Sequence, residues 1–348
     1  MNIYTESASA ELFPLLDSLS PDKVFVFGNS HTHSWCIPNL DLPELVEAMT
    51  IAPGEGAKNL VSARTLWQQL AGGGATRRSV MLNVGGGTIT DIGGFVAATY
   101  QRGIRFVNIP TTLLAMVDAS IGGKTGINLG ELKNYIGVFA PASATIISPE
   151  FLKTLPDQEL VNGFAEMIKH GALAGGELWE CCQSVFPAKT ETTAWLPLIQ
   201  KNAEYKLSLT SADMQETGLR ARLNFGHTAG HALEGLYLSR GVEIPHGKAV
   251  AAGMRIETLA ASHMGLTRQE FPEQLDWVIK RHFEPVVFQP DEIGQLMNFA
   301  LKDKKHTGKG VACSLVAEPG SPLDVVEVPP ETMNLAFSQY LHETGQTD

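Results

Sequence analysis

Apolar and polar positions follow two different rhythms along this chain. Over the first 150 residues, short apolar runs alternate with glycine-punctuated helical patterns. Runs at 23–27, 79–83, 104–109 and 144–147 are rich in β-branched and aromatic residues and predict buried strands. Between them the spacing predicts helices, among them 42–49 and 91–101. Such alternation predicts an α/β unit with a mainly parallel sheet wrapped by helices. Beyond Pro149 a helical period takes over, at 157–173, 194–209, 228–236, 248–264, 273–282 and 291–301. The shift at 148–155 divides the chain into domains 1–150 and 151–348, the second helical, with no internal repeat or low-complexity tract.

Composition narrows the class. With 348 residues, 44% apolar and 18% charged, the chain describes a soluble globular protein of about two domains. Its net charge of -11 argues against general nucleic-acid or anionic-membrane binding, which summed positive charge drives. Any anion it binds must be held by a local cluster of cations. Cys36, Cys181, Cys182 and Cys313 form no CxxC pair, which fits a reducing compartment. The first residues carry Glu6 and Glu11 and no basic region, and no run reaches about 18 apolar residues, so a cytoplasmic protein without signal peptide or membrane span is expected.

Several segments carry candidate chemistry. His227 and His231 stand at i and i+4, and His246 follows in Pro245-His246-Gly247. Helical spacing puts the first two on one face, where imidazoles could ligate Zn²⁺ with the third; the alternative is an amphipathic helix with two satisfied histidines. Thr228 occupies the place where a zincin needs glutamate, which disfavours metal-activated peptide hydrolysis. Gly85-Gly86-Gly87, between a strand and a helix, suits a dinucleotide pyrophosphate, although a structural turn explains it too. Glu55 and Lys58 lie in a second glycine-rich loop that also reads as a solvated one. Lys124 follows Gly122-Gly123 in a stretch poor in charge, without the spacing of a Walker loop. Glu166 and Lys169 share a helical face among apolar neighbours, which makes a functional glutamate plausible. Lys206, Glu216, Arg220 and Asn224 lead into the histidine motif, and the basic run 302–306 has the solvated loop as its plain reading.

In order along the chain, these strings resemble the 3-dehydroquinate synthase family of sugar-phosphate cyclases: Gly85 to Asp91, Pro110-Thr111-Thr112-Leu113-Leu114-Ala115, Val117 to Asn128, Lys133-Asn134, Gly163 to Lys169, Leu223 to His231 and His246-Gly247. The resemblance implies an N-terminal Rossmann-like NAD-binding domain and a C-terminal all-helical metal- and substrate-binding domain. It implies that Zn²⁺, or Co²⁺ in its place, is held by Glu166, His227 and His246, with His231 facing substrate. Lys124, Lys169, Lys206, Arg220, Asn134 and Asn224 are implied as contacts to a small anionic sugar phosphate, with Asp118 and Glu216 beside them. Arg102 is implied to reach the phosphate bound by the other subunit of a homodimer, and either Lys304 or Lys305 to be a further phosphate contact. For NAD the implied residues are Glu55, Lys58, Gly86, Gly87, Asp91, Thr111, Thr112, Leu114, Lys133 and Thr154.

The implied reaction converts 3-deoxy-D-arabino-heptulosonate 7-phosphate to 3-dehydroquinate and phosphate, in the shikimate pathway of aromatic amino-acid biosynthesis. It runs by transient oxidation, phosphate elimination, reduction and intramolecular aldol closure, so NAD is regenerated. Three features depart from the family pattern: Asn29 in place of an aspartate, Lys248 in place of a glutamate, and Met214 interrupting an acidic pair begun at Asp213. The rival readings are another cyclase, such as an aminodehydroquinate or inosose synthase, a metal-dependent polyol dehydrogenase that would release NADH, and an inactive binding protein. Retention of the cations and of every implied ligand favours the synthase.

Overall fold

The computed structural model describes residues 2–43, 46–130, 132–301 and 310–345. It resolves into two compact units, Met1–Leu160 with Thr190–Leu207, and Val161–Lys189 with Ser208–Asp348.

In the first unit, β1 (Asn2–Tyr4), β2 (Val24–Asn29), β3 (Val46–Ile51), β4 (Val80–Gly85), β5 (Arg105–Pro110) and β8 (Ala144–Ile147) form one sheet in the order β1-β8-β5-β4-β2-β3. Every pairing is parallel. The central β4 is buried along its whole length, as a strand covered on both faces must be, and this is why its sequence is a continuous apolar run rather than an alternation. Its one polar interior residue, Asn83, donates from Nδ2 to Asn108 Oδ1 at 3.0 Å, at the register position directly opposite. Helices α1 (Ala8–Leu19), α2 (Ser30–Trp35), α3 (Leu60–Gly72) and α4 (Gly87–Thr99) belong to this unit. Phe25, Phe27 and Met81 of the sheet pack with Leu66 and Leu70 of α3 and Ile92 and Phe95 of α4 into one core. The helix α4 sits very close to its strand: a Cβ on Gly93 would lie 2.1 Å from Asn83 Oδ1.

The expected strands appear within a few residues of their places, but the helix expected over 42–49 is not found among its described residues. Val46–Ile51 is the edge strand β3, paired in register with β2 from Val24↔Val46 to Asn29↔Ile51. Glu, Ala and Met favour a helix, yet pairing along an open sheet edge and the β-branched Val46, Thr50 and Ile51 outweigh that preference. Glu44 and Leu45 lie outside the described residues. The unit also contains an antiparallel ribbon, β6 (Lys124–Leu129) and β7 (Leu132–Phe139), that the periodicity did not reveal.

The second unit is built from helices: α5 (Asp157–Ala174) from Val161 on, α6 (Gly176–Ser184), the end of α7 (Thr192–Ala212), α8 (His227–Ser239), α9 (His246–His263), α10 (Glu270–Lys280), α11 (Ile293–Leu301) and α12 (Pro330–Glu343). It is not wholly helical. An antiparallel pair, β9 (Val311–Val316) and β10 (Pro322–Val328), closes its core, because the VACSLV run of β9 is buried among α8, α9 and α12 and a short hairpin satisfies its backbone. The alanine- and glycine-rich α9 is buried from Ala249 to Ala261, as the central helix of this core. Among the described residues, no helix is long and apolar enough to cross a membrane.

Candidate nucleotide and metal sites

In the first unit the chain runs from β2 to β3 toward one edge of the sheet and from β4 through β5 to β8 toward the other. The carboxyl ends of the neighbouring strands β2 and β4 therefore flank a topological switch point, where open parallel sheets bind ligands. Gly86 and Gly87 turn β4 into α4 there, presenting the N–H groups and positive dipole end of a helix start. A Cβ on Gly86 would come within 3.0 Å of Thr112 Cγ2, so bulk on that side is already filled. Thr111 ties the end of β5 to β4 by donating its N–H to Gly85 O at 3.0 Å. Asn29 ends β2 and caps α2, accepting from Thr32 N at 3.1 Å, so its side chain is committed to that turn.

Beside the helix start, Lys58 is buried and bonds Asp91 Oδ2 at 2.6 Å, Asn134 Oδ1, and Glu55 Oε1 at 3.6 Å. Glu55 also accepts from Thr88 Oγ1 and Asn128 Nδ2, both at 2.9 Å. One polar network thus joins the Glu55 loop, the first turns of α4 and the β6–β7 ribbon. Burial raises the Asp91 carboxyl above its usual range, with Lys58 pulling it back down. Burial would depress Lys58, but Asp91 and Glu55 outweigh it and hold the ammonium charged. Lys58→Met is expected to cost roughly 2–3 kcal/mol, because it strands Asp91 beside Glu55 but in a partly exposed network. It should weaken NAD⁺ binding about tenfold or more, as read by titration calorimetry.

Elsewhere in this unit, Lys206 is buried and its Nζ lies 2.7 Å from both Asp118 Oδ1 and Asp118 O. Leu114 leads into the single wide turn that carries Asp118, Ala115–Ala119. Lys124 and Lys133 are exposed on the β6–β7 ribbon, and Thr154 closes the short turn Pro149–Thr154. Arg102 stands past the far end of α4 from Gly87, a helix length of about 20 Å, with left-handed backbone at φ 68.

In the second unit, Glu166 is fully buried on α5 and forms an ion pair with Lys169, which is 2% exposed. Its Oε1 lies 3.6 Å from His227 Nε2 and 3.4 Å from His246 Nε2. The ligand atoms of Glu166, His227 and His246 all fall within 4.8 Å of one another. Two donors on one tetrahedral zinc stand about 3.3 Å apart, so the carboxylate and both imidazoles are spaced as a shared cation requires. The other ring nitrogens fix which atoms face it. His227 Nδ1 meets Phe225 O at 3.2 Å and His246 Nδ1 meets Glu234 Oε1 at 3.3 Å, and only protonated nitrogens can use those acceptors, which leaves both Nε2 lone pairs inward. The donor set of one carboxylate and two imidazoles therefore fits a divalent cation such as Zn²⁺ or Co²⁺. His231 is exposed, its ring edge-on to His227 with centroids 5.4 Å apart, and it is not part of the trio.

The two imidazoles differ in charge preference. Burial, reinforced by Lys169, holds His227 well below the usual value. Burial would depress His246 as well, but its bonds to Glu166 and Glu234 prevail and lift it to about 10. A proton and a cation compete for that lone pair. Glu234 is legible only in retrospect, three residues after His231 on the same face of α8. Glu234→Gln is expected to weaken zinc binding about 10- to 100-fold with the fold intact, measured by competition with a chelator.

Arg220, Asn224 and Glu216 share the loop before α8. Arg220 is buried and donates from Nη1 to Met214 O at 2.8 Å, and Asn224 Nδ2 donates to Glu216 Oε1 at 2.6 Å. Asp213, which the sequence marked only as the start of an interrupted acidic pair, holds this loop by accepting from the N–H groups of Thr217, Gly218 and Arg220. Lys304 and Lys305 lie outside the described residues.

A helix start at a sheet switch point and a buried carboxylate–histidine trio together define a nucleotide- and metal-dependent enzyme. The profiles of the 3-dehydroquinate synthase N-terminal and C-terminal domains match residues 48–162 and 163–306. A 3-dehydroquinate synthase of Parabacteroides distasonis is 37% identical over 322 residues, covering 91% of each chain. Among solved structures, 2-deoxy-scyllo-inosose synthase complexed with carbaglucose-6-phosphate, NAD⁺ and Co²⁺ superposes with a TM-score of 0.85 at 21% identity, over 97% of this chain and 96% of that one. The 2-epi-5-epi-valiolone synthase of Streptomyces hygroscopicus, with NAD⁺ and Zn²⁺ bound, gives 0.83 at 26% identity, over 99% and 97%. The chain belongs to the 3-dehydroquinate synthase family.

Proposed function

We infer that this protein is a 3-dehydroquinate synthase, a phosphate-eliminating lyase that converts 3-deoxy-D-arabino-heptulosonate 7-phosphate to 3-dehydroquinate and phosphate in the shikimate pathway. The family match across residues 48–306, which includes both the glycine loop and the histidine trio, carries this reading. NAD and a divalent cation, Zn²⁺ or Co²⁺, are its cofactors, as in the structural relatives that hold them. When bound, NAD supplies a reversible hydride acceptor and the cation a Lewis acid that polarises substrate oxygens.

The protein's own residues do the rest. Domain 1–150 carries the nucleotide site, with the α4 start at Gly86 and Gly87 on the pyrophosphate, Glu55, Lys58 and Asp91 shaping the loop beside it, and Thr111, Thr112, Leu114 and Lys133 as further contacts, to which Thr154 adds one from just past the domain boundary. Domain 151–348 holds the cation through Glu166, His227 and His246. Contacts to the substrate's carboxylate, hydroxyls and phosphate fall to Lys124, Asn134, Lys169, Lys206, Arg220 and Asn224. Asp118 anchors the Lys206 ammonium, Glu216 orients the Asn224 amide, and His231 turns its exposed ring to substrate as a proton carrier. Lys305 or Lys304 adds a phosphate contact. Concentrating these cations lets a protein of net charge -11 bind a multiply anionic substrate.

A homodimer fits two observations. Leu129, Leu132, Tyr135, Val138 and Phe139 leave large apolar side chains exposed on the β6–β7 ribbon, and Arg102 lies a helix length from the glycine loop of its own chain, as a residue serving the other subunit would. The four free cysteines fit work in the cytoplasm. Purified protein with NAD⁺ and Zn²⁺ is expected to release phosphate from the heptulosonate phosphate without accumulating NADH. Absence of phosphate release, or NADH formed in step with substrate consumption, would refute the synthase reading.

A further inference from the structure

The first turn of α8, which carries His227, is not capped by its own sequence. Gly226 precedes it in left-handed conformation at φ 80 and has no side chain with which to cap. The cap comes from α9. Glu257, fully buried, accepts the N–H of Gly226 on Oε2 at 2.8 Å and the N–H of Ala229 on Oε1 at 3.0 Å. Both oxygens of one carboxylate are thus spent on the start of a neighbouring helix, where the dipole favours a negative charge.

The two helices run antiparallel. Gly226 lies against Gly253, Gly230 against Ala249, and Glu234 reaches His246 at the start of α9. Carboxylates therefore clasp both ends of the shared stretch, Glu257 from α9 onto the first turn of α8 and Glu234 from α8 onto the first residue of α9. Sliding one helix along the other would change the separation of His227 and His246, whereas a cation tolerates only about 0.2 Å in its ligand distances.

We propose that Glu257 is a positioning residue of the metal centre, which presets His227 against His246 before any cation arrives by fixing the register of α8 on α9. This rests on the reading that Glu166, His227 and His246 hold the cation. Glu257→Gln keeps the size but offers one acceptor where two are needed, and turns an amide NH₂ toward the other N–H. The variant is expected to bind Co²⁺ at least tenfold more weakly, by chelator competition, and to show a shifted or weakened visible d–d band. Glu257→Asp, which keeps the charge on a shorter arm, falls between it and wild type. Tyr340→Phe, which removes a bond to Val286 N in the same core, should lower the melting temperature yet leave affinity and band unchanged.

A folded Glu257→Gln protein with wild-type Co²⁺ affinity and spectrum overturns the proposal. If that variant does not fold, the same result from Glu257→Asp overturns it. If neither folds, amide exchange in the wild type decides: equal protection of Gly226 and Ala229 with and without cation supports the proposal, and rapid exchange without cation overturns it. His227→Ala separates the two readings, since retention of cation by that variant would sink the metal site itself rather than the role of Glu257.

Discussion

Glu166→Gln is expected to abolish cation binding, to cut turnover by on the order of 10³-fold or more, and to lower the melting temperature by several degrees. Three consequences follow from one atom pair. Oε1 of Glu166 lies 3.6 and 3.4 Å from the Nε2 atoms of His227 and His246, so an amide there replaces the anionic ligand with a weak neutral one. The same carboxylate neutralises Lys169, which is 2% exposed. Removing one member of a buried ion pair costs about 3–5 kcal/mol, because the remaining charge loses its partner in a medium that solvates it poorly. The double variant Glu166→Gln with Lys169→Met should recover most of that stability while remaining free of metal, which separates the two roles. Elemental analysis, calorimetry and phosphate release read the three effects independently. Full metal content in Glu166→Gln would remove Glu166 from the trio, and unchanged melting would show that the ion pair carries no stability.

The parallel strands were legible because burial on both faces leaves continuous apolar runs such as that of β4, and helices of the second half because of amphipathic stretches such as α10, whose buried Phe271, Leu275, Val278 and Ile279 recur at helical spacing. Edge elements were not. The composition of β3 favours a helix and its conformation is decided by pairing with β2, a partner the local sequence does not contain. The β6–β7 ribbon escaped for a related reason: β7 is exposed along its length, so no alternation marks it. At the site, spacing brought out His227 and His231, which do share a helix, but helical neighbours need not share a ligand. Glu166 and His246 come from two other helices; His246 was already in view as a third imidazole, but only the resemblance to a family linked Glu166 to His227. Glu257 had no signal at all. A buried glutamate inside an alanine-rich helix looks like an ordinary polar interruption until the helix start it caps is known.

Gly253→Ala is expected to destabilise the protein by roughly 3 kcal/mol or more and to weaken cation binding with it. Taken locally, the change should help, since alanine in a helix interior is favoured over glycine by about 1 kcal/mol. The tertiary contact reverses the sign. A Cβ at position 253 would lie 2.0 Å from Gly226 O and 2.6 Å from Gly230 N, both backbone atoms of the α8 start, so no rotamer change relieves the overlap. The helices must separate or slide, and either movement displaces His227, next to Gly226, from the carboxylate it faces. Gly294→Ala is the matched control. It lies near the start of α11, where an added Cβ meets nothing within 4 Å, and it should stabilise by up to about 1 kcal/mol without touching the metal. Denaturant unfolding and cation affinity measured on both variants test the argument together. If Gly253→Ala proved neutral or stabilising, α8 and α9 would have enough freedom to part without cost, and a rigid register between them could not be what sets the spacing of the two histidines.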